Sequence, residues 1–120
     1  MKPLQKIIKF KEEHEFYLMH LNIIGAFIPV ELTKKEREVL SHFMCFKGQL
    51  AETNLFNTEH RKIVKKKMNN MSDAGLTNYI TTLRQKEILV ENKEGSLKIK
   101  EYLFPSSDKV QIYQFKIIKE

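Results

Sequence analysis

Apolar side chains recur along this chain with a helical period as far as Lys86 and with a strand-like period beyond it. Between Glu12 and Ile24, the residues Phe16, Tyr17, Leu21 and Ile24, joined by Leu18, share one helical face, which predicts a helix with one buried side. Gly25 and Pro29 interrupt that pattern. The run Thr33-Lys34-Lys35-Glu36 has the form of a capping box. In such a box the Thr hydroxyl accepts from the backbone N–H three residues on, and the Glu carboxylate accepts from the N–H of the Thr. Val39, Leu40, Phe43 and Met44 continue as a single stripe, and the helix is expected to run over 33–47 with Gly48 as its left-handed cap. Gln49 to Phe56 shows no period and is read as a loop.

Asn57 or Thr58 can cap a further helix reaching about Met68, with Ile63 (or His60), Val64 and Met68 inward and Arg61, Lys62, Lys65 and Lys66 outward. Asn69-Asn70 tolerates the left-handed geometry of a tight turn. Ser72 caps the next helix, expected over 72–87, with Asp73 in its first turn, where a negative charge complements the helix dipole. Leu76, Tyr79, Ile80 and Leu83 form its apolar stripe, with Tyr79 read as core rather than as a stacking platform. Ile88-Leu89-Val90, the polar tip Asn92 to Ser96, and the alternating Leu97 to Lys100 then predict a β-hairpin. Val110 to Ile118 is the longest β-capable run, and it could pair with Lys6 to Phe10 in a small terminal sheet.

Composition agrees with one folded domain: 120 residues, 42% hydrophobic and 10% aromatic, without repeat, low-complexity tract or linker. We divide it into an N-terminal extension (1–30), a core (33–100) and a C-terminal strand (101–120). Net charge sharpens this picture. The chain carries +6, and seven basic residues (Arg61, Lys62, Lys65, Lys66, Lys67, Arg84, Lys86) face a single acid, Asp73, between Arg61 and Lys86. The rest of the chain carries 14 basic and 14 acidic residues, so the whole excess lies in that segment. An anionic partner is the natural inference.

Three helices followed directly by a hairpin is the plan of winged-helix domains. The run from Met71 to Leu89 resembles the recognition helix and wing start of winged helix-turn-helix DNA-binding regulators, in which a Ser-rich start and an apolar position three residues before a fixed Leu lead into a Leu-x-x-Lys-Gly-Ile/Leu-Ile/Val ending. Ile80, Leu83, Lys86, Ile88 and Leu89 fill that pattern; Glu87 stands where the family has Gly, a departure that bears on the tightness of the helix-to-wing turn. The stretch from Thr58 is also similar to short winged-helix proteins of phages and mobile elements. The resemblance implies an α+β winged helix-turn-helix fold: a helical core, a C-terminal hairpin wing and, from the terminal runs, a small sheet.

It also implies duplex DNA as partner, in transcription regulation or as a replication or packaging accessory. A helix fits the major groove, about 12 Å wide, with its exposed side chains toward base edges. Asn78 can present a bidentate amide to adenine, and Thr77 and Thr81 can reach bases or phosphates. Ser72, Ala74 and Gly75 allow close approach of the helix start, and Arg84 lies further along. Arg61, Lys62, Lys65 and Lys66 are expected on phosphates, and Lys93 and Lys98 carry the wing to flanking backbone or minor groove. The alternative is a winged helix used for protein–protein contact within a larger assembly, its basic face incidental.

No P-loop, dinucleotide fingerprint or GxSxG turn is present, so no enzyme, cofactor or small-molecule ligand is expected. The histidines His14, His20, His42 and His60 lack metal-ligand spacing. The single cysteine, Cys45, excludes an intramolecular disulfide, fits a reducing compartment, and reads as core rather than nucleophile. Leu21 to Val30 is shorter than the roughly 20 residues that span a bilayer. A cytoplasmic protein is expected, in the host cytoplasm if phage-encoded, with no membrane partner and with homodimerisation through the apolar N-terminal helix as an option.

Overall fold

The structure, a computed structural model, describes residues 6–106, 111–114 and 118. Its elements follow in the order α1 (Glu13–Ile24), α2 (Lys34–Phe43), α3 (Gln49–Asn54), α4 (Thr58–Lys67), α5 (Asp73–Gln85), β1 (Leu89–Glu91), β2 (Leu97–Ile99) and a closing 3-10 turn, Glu101–Leu103. This is an α+β arrangement, a helical core with one antiparallel hairpin in the register Leu89↔Ile99, Val90↔Lys98, Glu91↔Leu97.

The starts of α2, α4 and α5 follow from their caps. Thr33 Oγ1 accepts from Glu36 N at 3.2 Å and Thr33 N donates to Glu36 Oε1 at 2.7 Å, which completes the expected box. Asn57 caps α4 by accepting from His60 N, and Ser72 caps α5 by accepting from Gly75 N. One core joins the elements: Tyr17 and Leu21 of α1, Val39, Leu40 and Phe43 of α2, Val64 of α4, Leu76, Ile80 and Leu83 of α5, and Ile88, Leu89 and Ile99 of the hairpin are all buried. Tyr79 packs partly buried against this core, as expected. The N-terminal helix thus spends its apolar face, Tyr17 and Leu21, on α2 of its own chain.

Four expectations are corrected. First, α2 stops at Phe43 rather than at residue 47, because Cys45 N and Phe46 N turn to the carbonyls three residues back, His42 O and Phe43 O, and tighten the chain. Gly48, at φ 97°, therefore precedes α3 instead of closing α2. Second, residues 49–54 form the short helix α3 where a loop is expected; it buries no side chain fully and so offers no periodic signal. Third, Ile63 is 42% exposed, since the inward face of α4 is centred on Val64, with His60 and Met68 half-buried beside it. Fourth, no described residue of 6–10 or 101–120 lies in a strand: 6–10 and 111–114 are irregular and Leu103 is buried in the 3-10 turn. The remainder of the expected terminal pairing, at 107–110, 115–117 and 119–120, lies outside the described residues. Tyr113, within that run, instead meets α1, its hydroxyl 2.7 Å from His20 Nδ1.

The helix-to-hairpin junction forms tightly even without glycine. Ile88 N donates to Leu83 O and Glu87 N to Arg84 O, both at 3.0 Å, and the flanking Leu83 and Ile88 are fully buried. These are the paired bonds of a Schellman motif, which places its C′ residue in the left-handed region. Glu87 occupies that position at φ 62°. A Cβ in this region is disfavoured by roughly 1–2 kcal/mol, part of which glycine gives back by loosening the unfolded chain. Glu87→Gly is therefore expected to stabilise the fold by about 0.5–1 kcal/mol. Urea denaturation followed by circular dichroism measures it, and a loss of stability would contradict this account of the turn.

Candidate nucleic-acid interface

The α5 helix presents one exposed stripe. Ala74, Thr77, Asn78, Thr81 and Arg84 recur at three- and four-residue steps and all are exposed, opposite the buried Leu76, Ile80 and Leu83. Thr77, Asn78 and Thr81 have side chains with no hydrogen-bond partner among the described residues, whereas Thr82 turns its hydroxyl back to Asn78 O at 2.9 Å. Ser72 and Gly75 stand at the head of the stripe, joined by the cap bond of 3.0 Å. A Cβ at Gly75 would lie 3.1 Å from Ser72 Oγ and 3.2 Å from Met71 Cγ, so the missing side chain is required by the cap and the turn as much as by any ligand.

The α4 helix carries the cations. Lys62 and Lys66 are exposed, one helical turn apart, and make no ion pair or hydrogen bond among the described residues. Lys65, half-buried on the flank of that face, reaches across the turn to pair with Asp73 at the start of α5. The basic face of α4 therefore adjoins the head of the α5 stripe. The Lys65 hydrogen bond and charge hold the Asp73 carboxyl below its ordinary pKa. Arg61 is half-buried and donates from Nε to Phe56 O at 2.8 Å, which fastens the α3–α4 junction and commits one edge of its guanidinium. At the other end of α5, Arg84 pairs with Glu91 of β1.

The hairpin tip is built around Asn92. Its side-chain oxygen accepts from Glu94 N at 3.0 Å and Ser96 N at 2.9 Å, and its amide nitrogen donates to Thr53 O of α3 at 3.2 Å. That last bond anchors the tip to the helical body. Lys93 of the tip and Lys98 of β2 are exposed and without an ionic partner among the described residues.

The charge count in the sequence overstates the available cations. Lys86, one of the seven basic residues of the segment, turns inward: its ammonium lies 2.7 Å from Glu36 Oε1 and 2.9 Å from Glu31 O. Burial pushes the Glu36 carboxyl up, and the bonds from Lys86 and Thr33 together with the Lys86 charge outweigh it, leaving the pKa below its ordinary value. With Lys65 and Arg84 also paired, the cations of α4 and α5 that have no carboxylate partner among the described residues are Arg61, whose Nε bonds Phe56 O, and Lys62, Lys66 and Lys67.

The remaining candidate chemistry is structural in character. His14 and His42, far apart in sequence, stack with ring centroids 4.1 Å apart between α1 and α2. His60 stacks on Phe46 at 3.8 Å and meets Leu55 O through Nδ1 at 2.7 Å. The Cys45 thiol is half-buried, 3.3 Å from Ser41 O, and burial pushes its pKa up to about 11, which leaves it unreactive as a nucleophile at neutral pH. Among the described residues no three His, Cys, Asp or Glu side chains converge as metal ligands, and no helix is long and apolar enough to cross a membrane. No protein family, no curated protein and no solved structure shows significant similarity to this chain.

Proposed function

We propose that this chain binds duplex DNA in the manner of a winged helix, with α5 in the major groove, α4 on the adjoining backbone and the hairpin as a wing on the flank. A regulator or a replication or packaging accessory is the corresponding role. The observation that carries the reading is the Lys65–Asp73 pair, which sets the basic helix α4, with its exposed Lys62 and Lys66, against the head of α5 and its exposed, unpartnered stripe Thr77–Asn78–Thr81. Amide and hydroxyl groups read base edges, and lysines on phosphates position the helix without reading sequence. Lys93 and Lys98 supply the same kind of contact from the hairpin.

Titration of a fluorescent random-sequence duplex at two salt concentrations tests this directly. Each phosphate neutralised contributes about 0.9 to the slope of log K against log salt. The double reversal Lys62→Glu and Lys66→Glu is expected to weaken binding on the order of 100-fold for every sequence and to flatten that slope by about 1.8. Absence of binding at low salt, or binding indifferent to salt, would overturn the reading in favour of a protein-interaction module. Asn78→Ala, by contrast, is expected to weaken only preferred sequences, by about 1–3 kcal/mol.

A further inference from the structure

Two ion pairs bracket the α5 stripe, Lys65–Asp73 at its head and Arg84–Glu91 at its foot, about 16 Å apart along the helix by its rise per residue. We propose that Asp73 and Glu91 are affinity-limiting residues: they occupy Lys65 and Arg84 in place of phosphate and so weaken backbone binding beside the reading helix. This rests on the DNA-binding reading above.

Three features of the pairs support it. They are hydrated, with side-chain exposures of 24% and 87% for Lys65 and Asp73 and 57% and 52% for Arg84 and Glu91. Exposed pairs of this kind add little to a fold, unlike Lys86–Glu36, whose carboxylate is 3% exposed. Within α4, α5 and the hairpin the pairing is also selective by place, while α2 carries one further exposed pair, Lys35–Glu38. Lys62 and Lys66 on α4 and Lys93 and Lys98 on the hairpin carry no carboxylate partner among the described residues, while the two cations nearest the ends of the stripe each have one. Finally, both carboxylates belong to elements that flank the stripe, the first turn of α5 and β1, so a phosphate approaching either cation also meets a negative charge.

The consequence for recognition is one of overall affinity. Non-specific binding depends on phosphate contacts alone, and it loses both cations to their internal partners. A preferred sequence adds contacts from Thr77, Asn78 and Thr81, whose strength does not depend on Lys65 or Arg84. Occupied cations therefore lower binding to every sequence by a similar factor, and the base contacts alone set the preference among sequences.

The test compares four full-length proteins on a random 20-bp duplex across a salt series: the wild type, Asp73→Asn with Glu91→Gln, Lys65→Gln with Arg84→Gln, and all four changes together. Circular dichroism melts confirm that each is folded. Removing the two carboxylates is expected to tighten binding about tenfold at low salt and to steepen the salt slope by about 1.8, the value for two added phosphate contacts. Neutralising Lys65 and Arg84 alone is expected to change binding less than threefold, and the quadruple variant should return to the wild-type value. No gain on removing the carboxylates overturns the proposal, as does a gain that persists in the quadruple variant, which would reflect overall charge. If the wild type binds with a salt slope and these outcomes fail, only this inference falls. If neither the wild type nor the carboxylate variant binds duplex, the functional reading falls and takes the inference with it.

Discussion

Replacing Glu36 with alanine is expected to lower the free energy of unfolding by about 3 kcal/mol, the low end of the range for breaking a buried ion pair. Glu36 is 2% exposed and its Oε1 accepts from both Thr33 N and Lys86 Nζ at 2.7 Å. The substitution leaves a backbone donor at the start of α2 without its partner, and it leaves the Lys86 ammonium facing the core with only Glu31 O. Lys86, 28% exposed in its side chain, can recover some hydration, which is why the low end applies. Loss of the capping-box bond contributes about 1 kcal/mol of the total. Glu36→Gln keeps an acceptor for Thr33 N and is expected to cost less than the alanine. Against a typical stability of about 5–15 kcal/mol, the alanine variant should stay folded but denature at clearly lower urea concentration. A change below about 1 kcal/mol would show that the tie between α2 and the end of α5 contributes nothing beyond an exposed pair.

Acidification is expected to cost the fold about 3 kcal/mol between neutral pH and pH 4 through His42 alone. Burial, the charges of His14 and Lys67, and a weaker opposing effect of Glu38 combine to lower the His42 pKa from 6.5 to about 4. The ring is 8% exposed, its Nδ1 has no hydrogen-bond partner among the described residues, and it stacks on His14, whose own Nδ1 lies 3.3 Å from Glu12 Oε2. The imidazole is therefore held neutral in the fold. Above the unfolded value of 6.5 both states are neutral and stability is independent of this group. As pH falls from there, the unfolded chain takes up a proton that the folded chain refuses, and stability declines until the folded pKa of about 4 is reached. His20 adds to the same slope, since burial, only partly countered by a backbone bond to Leu103, lowers its pKa as well. Urea midpoints at pH 7 and pH 4.5 measure the effect. His42→Gln should flatten the dependence, and an equal decline in that variant would remove His42 as the cause.

Both predictions concern contacts that hold the interface in place rather than the interface itself. Glu36 and Lys86 fix the end of α5 on α2, and the His14–His42 stack fixes α1 on the same helix. The exposed stripe of α5 thus belongs to a helix secured at its C-terminal end by the Lys86 tie and the left-handed Glu87 turn, and at its start by Ser72.

What the sequence determined by itself lies within a few residues along the chain. The caps Thr33, Asn57 and Ser72, the turn at Asn69-Asn70, the stripe of α5 and the hairpin at 89–99 all follow from hydrogen bonds and periodicities that span at most about one helical turn or one hairpin. The exposed candidates Lys62, Lys66, Thr77, Asn78 and Thr81 were legible for the same reason: each is the face opposite a recognisable apolar stripe. Elements without an apolar stripe were not legible, as with α3 and the 3-10 turn at Glu101–Leu103. Tertiary structure alone decided the state of the charges. Lys65 meets Asp73 eight residues away, Arg84 meets Glu91 seven away, and Lys86 meets Glu36 fifty away, while His14 and His42 come together from different helices. A charge has no directional signature in a sequence; its partner is whichever opposite charge the packed helices bring within reach, and that depends on the crossing of elements rather than on their local pattern.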